Sequence, residues 1–261
     1  MMKLSFASQV TTTAIIGLLY VSMIPACKAN AADIKVLATV ALDTVFNEAV
    51  PDFERVSGNK LMVDYGVSAQ VKNRILSGES ADVIVLTRMA MDDLQQQNKL
   101  VPGSITSVGS SPVSVVVRVG APKPDISSVD ALKQTLLSAK SIVYADPAKG
   151  GASGVHFARV IDRLGLTDQL KAKTILVPGP QAAETVAKGE AELGVVEASV
   201  IVTVNGAQLV GPLPKEVAST IGLAAGIGAD TKSPEAAKAF IQFLKGPTIA
   251  PILKAKGFEP N

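Results

Sequence analysis

The chain has 261 residues, with 25 basic and 23 acidic side chains, one Cys, one His and no Trp. That length can bury a sizeable core, and an apolar share of 48% with 18% charged residues excludes wholesale disorder. A formal charge of +2 gives no electrostatic footprint for nucleic acid, while one Cys and one His can form neither an internal disulfide nor a zinc site, so no metal or other cofactor is expected.

The first segment reads as an export signal. Lys3 precedes an apolar run over 14–24 that is too short to span a bilayer. Pro25 breaks the run, and Ala29-Asn30-Ala31 has the small-residue pattern of a cleavage site. Residues 1–31 are therefore expected to be a cleaved signal, and the protein to be periplasmic. Cleavage removes Lys3, Lys28 and Cys27 but no acid, which leaves a formally neutral chain without cysteine. A rival reading makes Cys27 the lipid-bearing first residue of a lipoprotein, on the strength of Ile24-Pro25-Ala26-Cys27. Pro25 beside that cleavage site speaks against it.

Beyond the signal, short apolar runs alternate with helical periods. Residues 34–38 read as a strand, and 42–56 as a helix with Val45, Phe46, Ala49, Val50 and Phe53 on one face, closed by Gly58. A strand over 61–65, a helix over 69–76, a strand over 82–86 and a short helix carrying Met89 and Leu94 follow. The next strand, 113–119, ends at the Pro/Gly cluster of 120–124. A second series runs helix 132–137, strand 141–144, helix 153–164, strand 174–177, helix 182–188 and strand 193–196. Another break at 211–214 leads to the apolar run 221–227. Ser233-Pro234-Glu235 then opens a helix, and a final helix ends near Gly257.

Such alternation predicts an α/β fold: two α/β lobes with mainly parallel sheets and right-handed crossovers. The breaks place lobe 1 at 32–118 with 212–261 and lobe 2 at 119–211, so that two chain crossings form a hinge. A single larger α/β domain is the alternative.

In open parallel sheets ligands sit at the carboxyl ends of strands. Junctions rich in small residues occur at 39–41, 66–69, 150–154 and 179–182, where helix starts offer amides to an anion. Ser68 and Ser153 add hydroxyls. For any one junction, plain helix capping is the favoured explanation. Glu197 ends the strand 193–196, again at a carboxyl edge, with a solvated or capping carboxylate as its other reading. Arg88 and Arg118 are the cations nearest the strand ends, though each also reads as an ordinary surface charge. His156 lies on a helix and reads as a surface or satisfied residue. There is no Walker A loop, dinucleotide fingerprint or G-x-S-x-G elbow.

Ordered motifs then point to a family. They are 34–38 running into Ala41-Leu42, Gly78 with Ala81-Asp82-Val83, Tyr144-Ala145-Asp146-Pro147, Ser153-Gly154-Val155 with Leu164-Gly165, 190–196, and Phe243-Leu244-Lys245-Gly246-Pro247. Over 34–258 the chain resembles an extracytoplasmic solute-binding protein of an ABC transporter, more narrowly the periplasmic molybdate-binding family. The resemblance implies a type II periplasmic binding fold, with two lobes on a two-stranded hinge closing over ligand. It also implies a monomer that hands a small molecule to ABC permease membrane subunits. Ligand contacts implied by the resemblance fall on Ala41, Ser68, Ser153 and, beside Pro180, Gln181. Where the family has a tyrosine, this chain has Glu197.

An ionised carboxylate accepts hydrogen bonds only, and so repels a dianion. At roughly 4 Å and an effective dielectric near 20, each like-charge pair costs about 4 kcal/mol, or about three decades of affinity. The expectation is a receptor for a small anion, an organic carboxylate or an oxyanion, with tight molybdate binding disfavoured. With one His and no activated nucleophile, the chain is expected not to be an enzyme. An exported hydrolase or lyase using Glu197 or His156 as base, and a receptor for a membrane sensor, are the alternatives.

Overall fold

Strand and helix follow one another as the periodicity requires. The computed structural model describes residues 31–149, 151–179 and 181–260. The expected export signal, 1–31, with the alternative lipid site Cys27, lies outside the described residues except for Ala31. β1 (Asp33–Thr39) passes through a 3-10 turn at Val40–Leu42 into α1 (Asp43–Ser57). β2 (Lys60–Gly66) and α2 (Ser68–Leu76), then β3 (Val83–Thr87) and α3 (Arg88–Gln96), repeat the unit. After the long β4 (Thr106–Arg118) come α4 (Val129–Ser138), β5 (Ile142–Ala145), α5 (Ala152–Arg163), α6 (Thr167–Lys171), β6 (Thr174–Val177) and α7 (Gln181–Ala187). The chain finishes with β7 (Leu193–Glu197), α8 (Ala198–Ile201), β8 (Ala207–Pro212), β9 (Thr220–Ile227), α9 (Pro234–Phe243), α10 (Ile249–Ala255) and β10 (Glu259–Pro260).

Local chemistry sets the boundaries. Gly58 takes the left-handed conformation (φ 75°) that ends α1, and its N–H bonds the Glu54 carbonyl at 2.9 Å. Thr87 and Ser128 cap α3 and α4 by accepting the amides of Ala90 and Ala131. Ser233 stands at the N-cap of α9 but its side chain makes no such bond, and Pro234 at the first helical position sets that start.

The strands form one sheet in the order β2-β1-β3-β9-β4-β7-β5-β6, with β8 and β10 also on β4. Both ends are parallel: β1 pairs β2 and β3, and β5 pairs β6 and β7. The centre is antiparallel, because β9 runs against β3 and β4, and β4 against β7. Strand–helix alternation lapses there, since only a 3-10 turn (Lys215–Val217) separates β8 from β9. β4 also begins at Thr106 rather than at Val113. Its polar first half carries no apolar run and is held by pairing with β9 and β10, while its apolar second half pairs β7 and β8.

Alternate residues of each strand feed opposite cores. Ile34, Val36 and Val83 pack with Phe46, Phe53 and Phe240 on one face, whereas Leu37, Ile84 and Leu86 pack with Met91 and Leu94 on the other. Around the second half of β4 the same division places Val115 and Val195 with Phe157, and Val116 and Val196 with Val186. Residues 31–261 cluster as one compact unit. Among the described residues no helix is long and apolar enough to cross a membrane.

α5 is pressed hard onto the end of β5. A Cβ on Gly154 would stand 1.8 Å from the Ala145 carbonyl oxygen, so only glycine permits this approach. Gly154→Ala should therefore cost about 1–3 kcal/mol as the helix start is pushed away. Urea unfolding reads this directly, and an unchanged midpoint would show that α5 is not held against β5.

Candidate functional site

The ends of β1, β2, β3, β5 and β7, with the helix starts that follow them, surround a cleft of about 370 Å³. That volume falls in the range of about 300–1,000 Å³ usual for small-molecule sites. Small residues let the backbone close in. Gly151 lies against Ala145, where an added Cβ would meet the Ala145 Cβ at 2.7 Å, and Gly66 fits against Val71 in the same way. Thr39, Ser68, Ser111, Ser153 and Ser199 are buried hydroxyls on the cleft wall.

Glu197 ends β7 and stands at the N-cap of α8, yet its side chain does not cap that helix. It reaches instead to the start of α5, where Oε2 accepts a hydrogen bond from Ser153 Oγ at 2.9 Å. Loss of solvent pushes the Glu197 carboxyl above the ordinary glutamate range. Hydrogen bonds from its own N–H, from the Ser153 hydroxyl and from the Ser153 N–H pull the other way without winning. The positive end of α5 thus already holds a carboxylate belonging to the chain.

Two other hydroxyls are differently placed. Ser68 Oγ accepts the Thr87 amide at 3.3 Å, leaving its proton to be donated elsewhere. Ser199 Oγ has no hydrogen-bond partner, the one buried side-chain polar atom of this kind among the described residues. The Ser199 backbone is itself fixed, its N–H donating to Ser111 Oγ at 3.0 Å while Ser111 donates to the Gly257 carbonyl.

Charge on the wall is mostly negative. Lys72 is its single cation among the described residues, against Asp43, Asp93, Glu184 and Glu197. Three of those acids are already engaged. Asp93 pairs with Lys72 at 2.6 Å, Asp43 accepts the Thr44 amide, and the exposed Glu184 lies 3.8 Å from Lys188.

Of the positions singled out in the sequence, Ala41, Ser68, Ser153 and Glu197 line this cleft. Arg88, Arg118 and Gln181 do not. Arg88 turns to Asp92 at 2.8 Å, one turn along its own helix. Arg118 lies at the far end of β4 near Gly189, and Gln181 is exposed at the start of α7. His156 bonds the Val217 carbonyl at 2.9 Å and is absent from the wall. Lys72, Asp93 and Ser199 escaped the sequence reading. Lys72 alone left a trace, lying four residues after Ser68 and so on the same helical face.

A protein named aconitate isomerase, from Pseudomonas sp., is 32% identical over 231 residues, covering 86% of this chain and 87% of that protein. The molybdate-binding protein ModA of Azotobacter vinelandii is 29% identical over 89% of this chain and 92% of its own. The solved Azotobacter vinelandii periplasmic molybdate-binding protein superposes with a TM-score of 0.69 at 22% identity, covering 87% of this chain and 99% of that one, and places the fold among type II periplasmic binding proteins. The expectation that the chain is not an enzyme is overturned by the first of these, a relative named for its catalytic activity. That expectation rested on lacking His and nucleophile motifs, and a reaction served by one carboxyl acid–base group leaves no such mark. Residues 34–259 match the family described as bacterial extracellular solute-binding protein, and the chain belongs to that family.

Proposed function

We propose that this protein binds a small unsaturated polycarboxylate in the cleft and shifts its double bond, with Glu197 carrying the proton. The observation that carries the reading is the Glu197 carboxyl: on the cleft wall, lifted by desolvation and oriented by Ser153. A perturbed, oriented carboxyl in a cleft is the pattern of a general base. The relative named aconitate isomerase supports the substrate class.

The chemistry asks little else of the protein. In a propene tricarboxylate, ionised Glu197 takes a proton from the methylene carbon. The freed electron pair spreads over the allyl and carboxylate system, and Glu197 returns the proton to the former vinylic carbon. The double bond moves by one carbon and can re-form in either geometry, with no oxidant, water or cofactor consumed. Burial raises the basicity of Glu197, while the Ser68 hydroxyl and first-turn helix amides offer donors to the substrate's carboxylates. A carboxylate already seated on Ser153 disfavours an inorganic dianion there.

Membership of the solute-binding family supports two further parts of the proposal. The halves of the molecule, 32–118 with 212–261 and 119–211, act as lobes that close over the ligand. The protein works in the periplasm, where the same binding step also serves delivery to an ABC permease.

Incubation with trans-aconitate, followed by proton NMR, should show the cis isomer appearing. Glu197→Gln should slow it by about 10²–10⁴-fold, the usual worth of a general base, while leaving binding of a saturated tricarboxylate in place. A wild-type protein that converts no aconitate isomer would sink the proposal.

Stability gives a second check. The folded carboxyl titrates above its unfolded counterpart, so it destabilises the fold wherever the unfolded carboxyl is ionised, increasingly as pH rises toward the folded value. Glu197→Gln should accordingly raise the melting temperature at pH 7 and change it little near pH 3. Equal shifts at both pH values would show that the carboxyl is not desolvated.

A further inference from the structure

We infer that Lys72, acting with Ser68, is the subsite that recognises a second carboxylate of the ligand, and that Asp93 tunes its strength. The inference rests on the polycarboxylate reading above and names the residues that set its charge preference.

Ser68 and Lys72 are one helical turn apart on α2 and both line the cleft. The Lys72 side chain is only 26% exposed, so its ammonium is held at the wall instead of waving in solvent. Its Nζ donates one hydrogen bond, to Asp93 Oδ2 at 2.6 Å, and an ammonium has two more to give. Ser68 uses its oxygen to accept the Thr87 amide and keeps its proton for a donation of its own. A hydroxyl and an ammonium on one helical face match a carboxylate, whose two oxygens only accept.

No second cation competes for this role among the described residues of the cleft wall. Glu197 lies on β7, in the half of the sheet built on the other end of β4, and engages α5 rather than α2. A ligand with one carboxylate on Ser68 and Lys72 therefore keeps its carbon skeleton for Glu197. Asp93 neutralises Lys72 by pairing with it, and being 46% exposed it can turn to water when the ligand arrives. It weakens every anion by competing for the same ammonium.

The test uses propane-1,2,3-tricarboxylate, a saturated compound with no double bond to move, titrated calorimetrically into the full chain. Lys72→Met should bind it about ten- to a hundredfold more weakly, the usual range for a charged hydrogen bond. Asp93→Asn should bind it more tightly than wild type. Melting temperatures taken alongside show that both variants are folded. Lys72→Met binding like wild type would overturn the inference and leave the isomerisation proposal standing. Equal weakening by both variants would overturn it too, by showing that the pair only holds α2 to α3. A wild-type protein that ignores the tricarboxylate would remove the inference and the substrate class together. A folded wild type that binds it without isomerising aconitate would leave the subsite supported and the catalytic reading refuted.

Discussion

The contact between Ser153 and Glu197 organises the cleft. It joins the start of α5 to the end of β7 and puts a carboxylate where a helix would otherwise offer its amide and hydroxyl to an incoming anion. Two opposed effects meet in that one bond. Donors from Ser153 and from the Glu197 backbone favour the charged form, and desolvation, the larger effect, favours the neutral one. The resulting carboxyl is more basic than a surface glutamate and costs the fold stability at neutral pH. A group that weakens its own scaffold and is nonetheless firmly oriented fits a working acid–base residue better than a structural one.

β4 makes that contact available to a ligand. Its first half is paired by β9 and its second by β7 and β8, so parallel strands end on both sides of a single antiparallel seam. Ser68 arrives from one side, and Ser153 with Glu197 from the other. Ser111 stands on β4 itself and binds both the Ser199 amide and the Gly257 carbonyl. Through it the seam is tied to the start of α8, two residues past Glu197, and to the carboxyl end of the chain. Shifting β4 in register would move both walls of the cleft at once.

Much of this was legible because it is local. The helix over 42–56 shows in the spacing of Val45, Phe46, Ala49 and Phe53, all of which are buried in α1. The strand at 82–86 shows in a run of residues covered on both faces. The start of β4 was not legible, since 106–112 is polar and becomes a strand only when β9 and β10 supply partners. The side-chain choices divide likewise. Ser68, Ser153 and Glu197 follow from strand ends, which the chain order gives. Arg88 looked equally well placed, yet a guanidinium one turn from Asp92 satisfies itself on its own helix. Lys72 lies a turn inside α2, and its place on the wall depends on how α2 packs beside α3, where Asp93 meets it.

Net charge and composition mislead about such a site in an instructive way. A chain of formal charge +2 with one His excludes mechanisms that need several histidines or a strong attractive field. It says nothing of a single glutamate whose behaviour is set by what surrounds it. Among the described residues the wall carries four acids and one lysine, a balance that by counting alone speaks against an anionic ligand. Counting overlooks that Asp93 is paired with Lys72 and Glu184 with Lys188, that Asp43 accepts the Thr44 amide, and that the Glu197 carboxyl is turned to Ser153. On the proposed reading, an approaching carboxylate meets the Ser68 hydroxyl, the spare donors of Lys72 and the positive ends of helices, all fixed before it arrives. Affinity in such a cleft comes from donors already in position, and selectivity from the one carboxylate that has claimed Ser153.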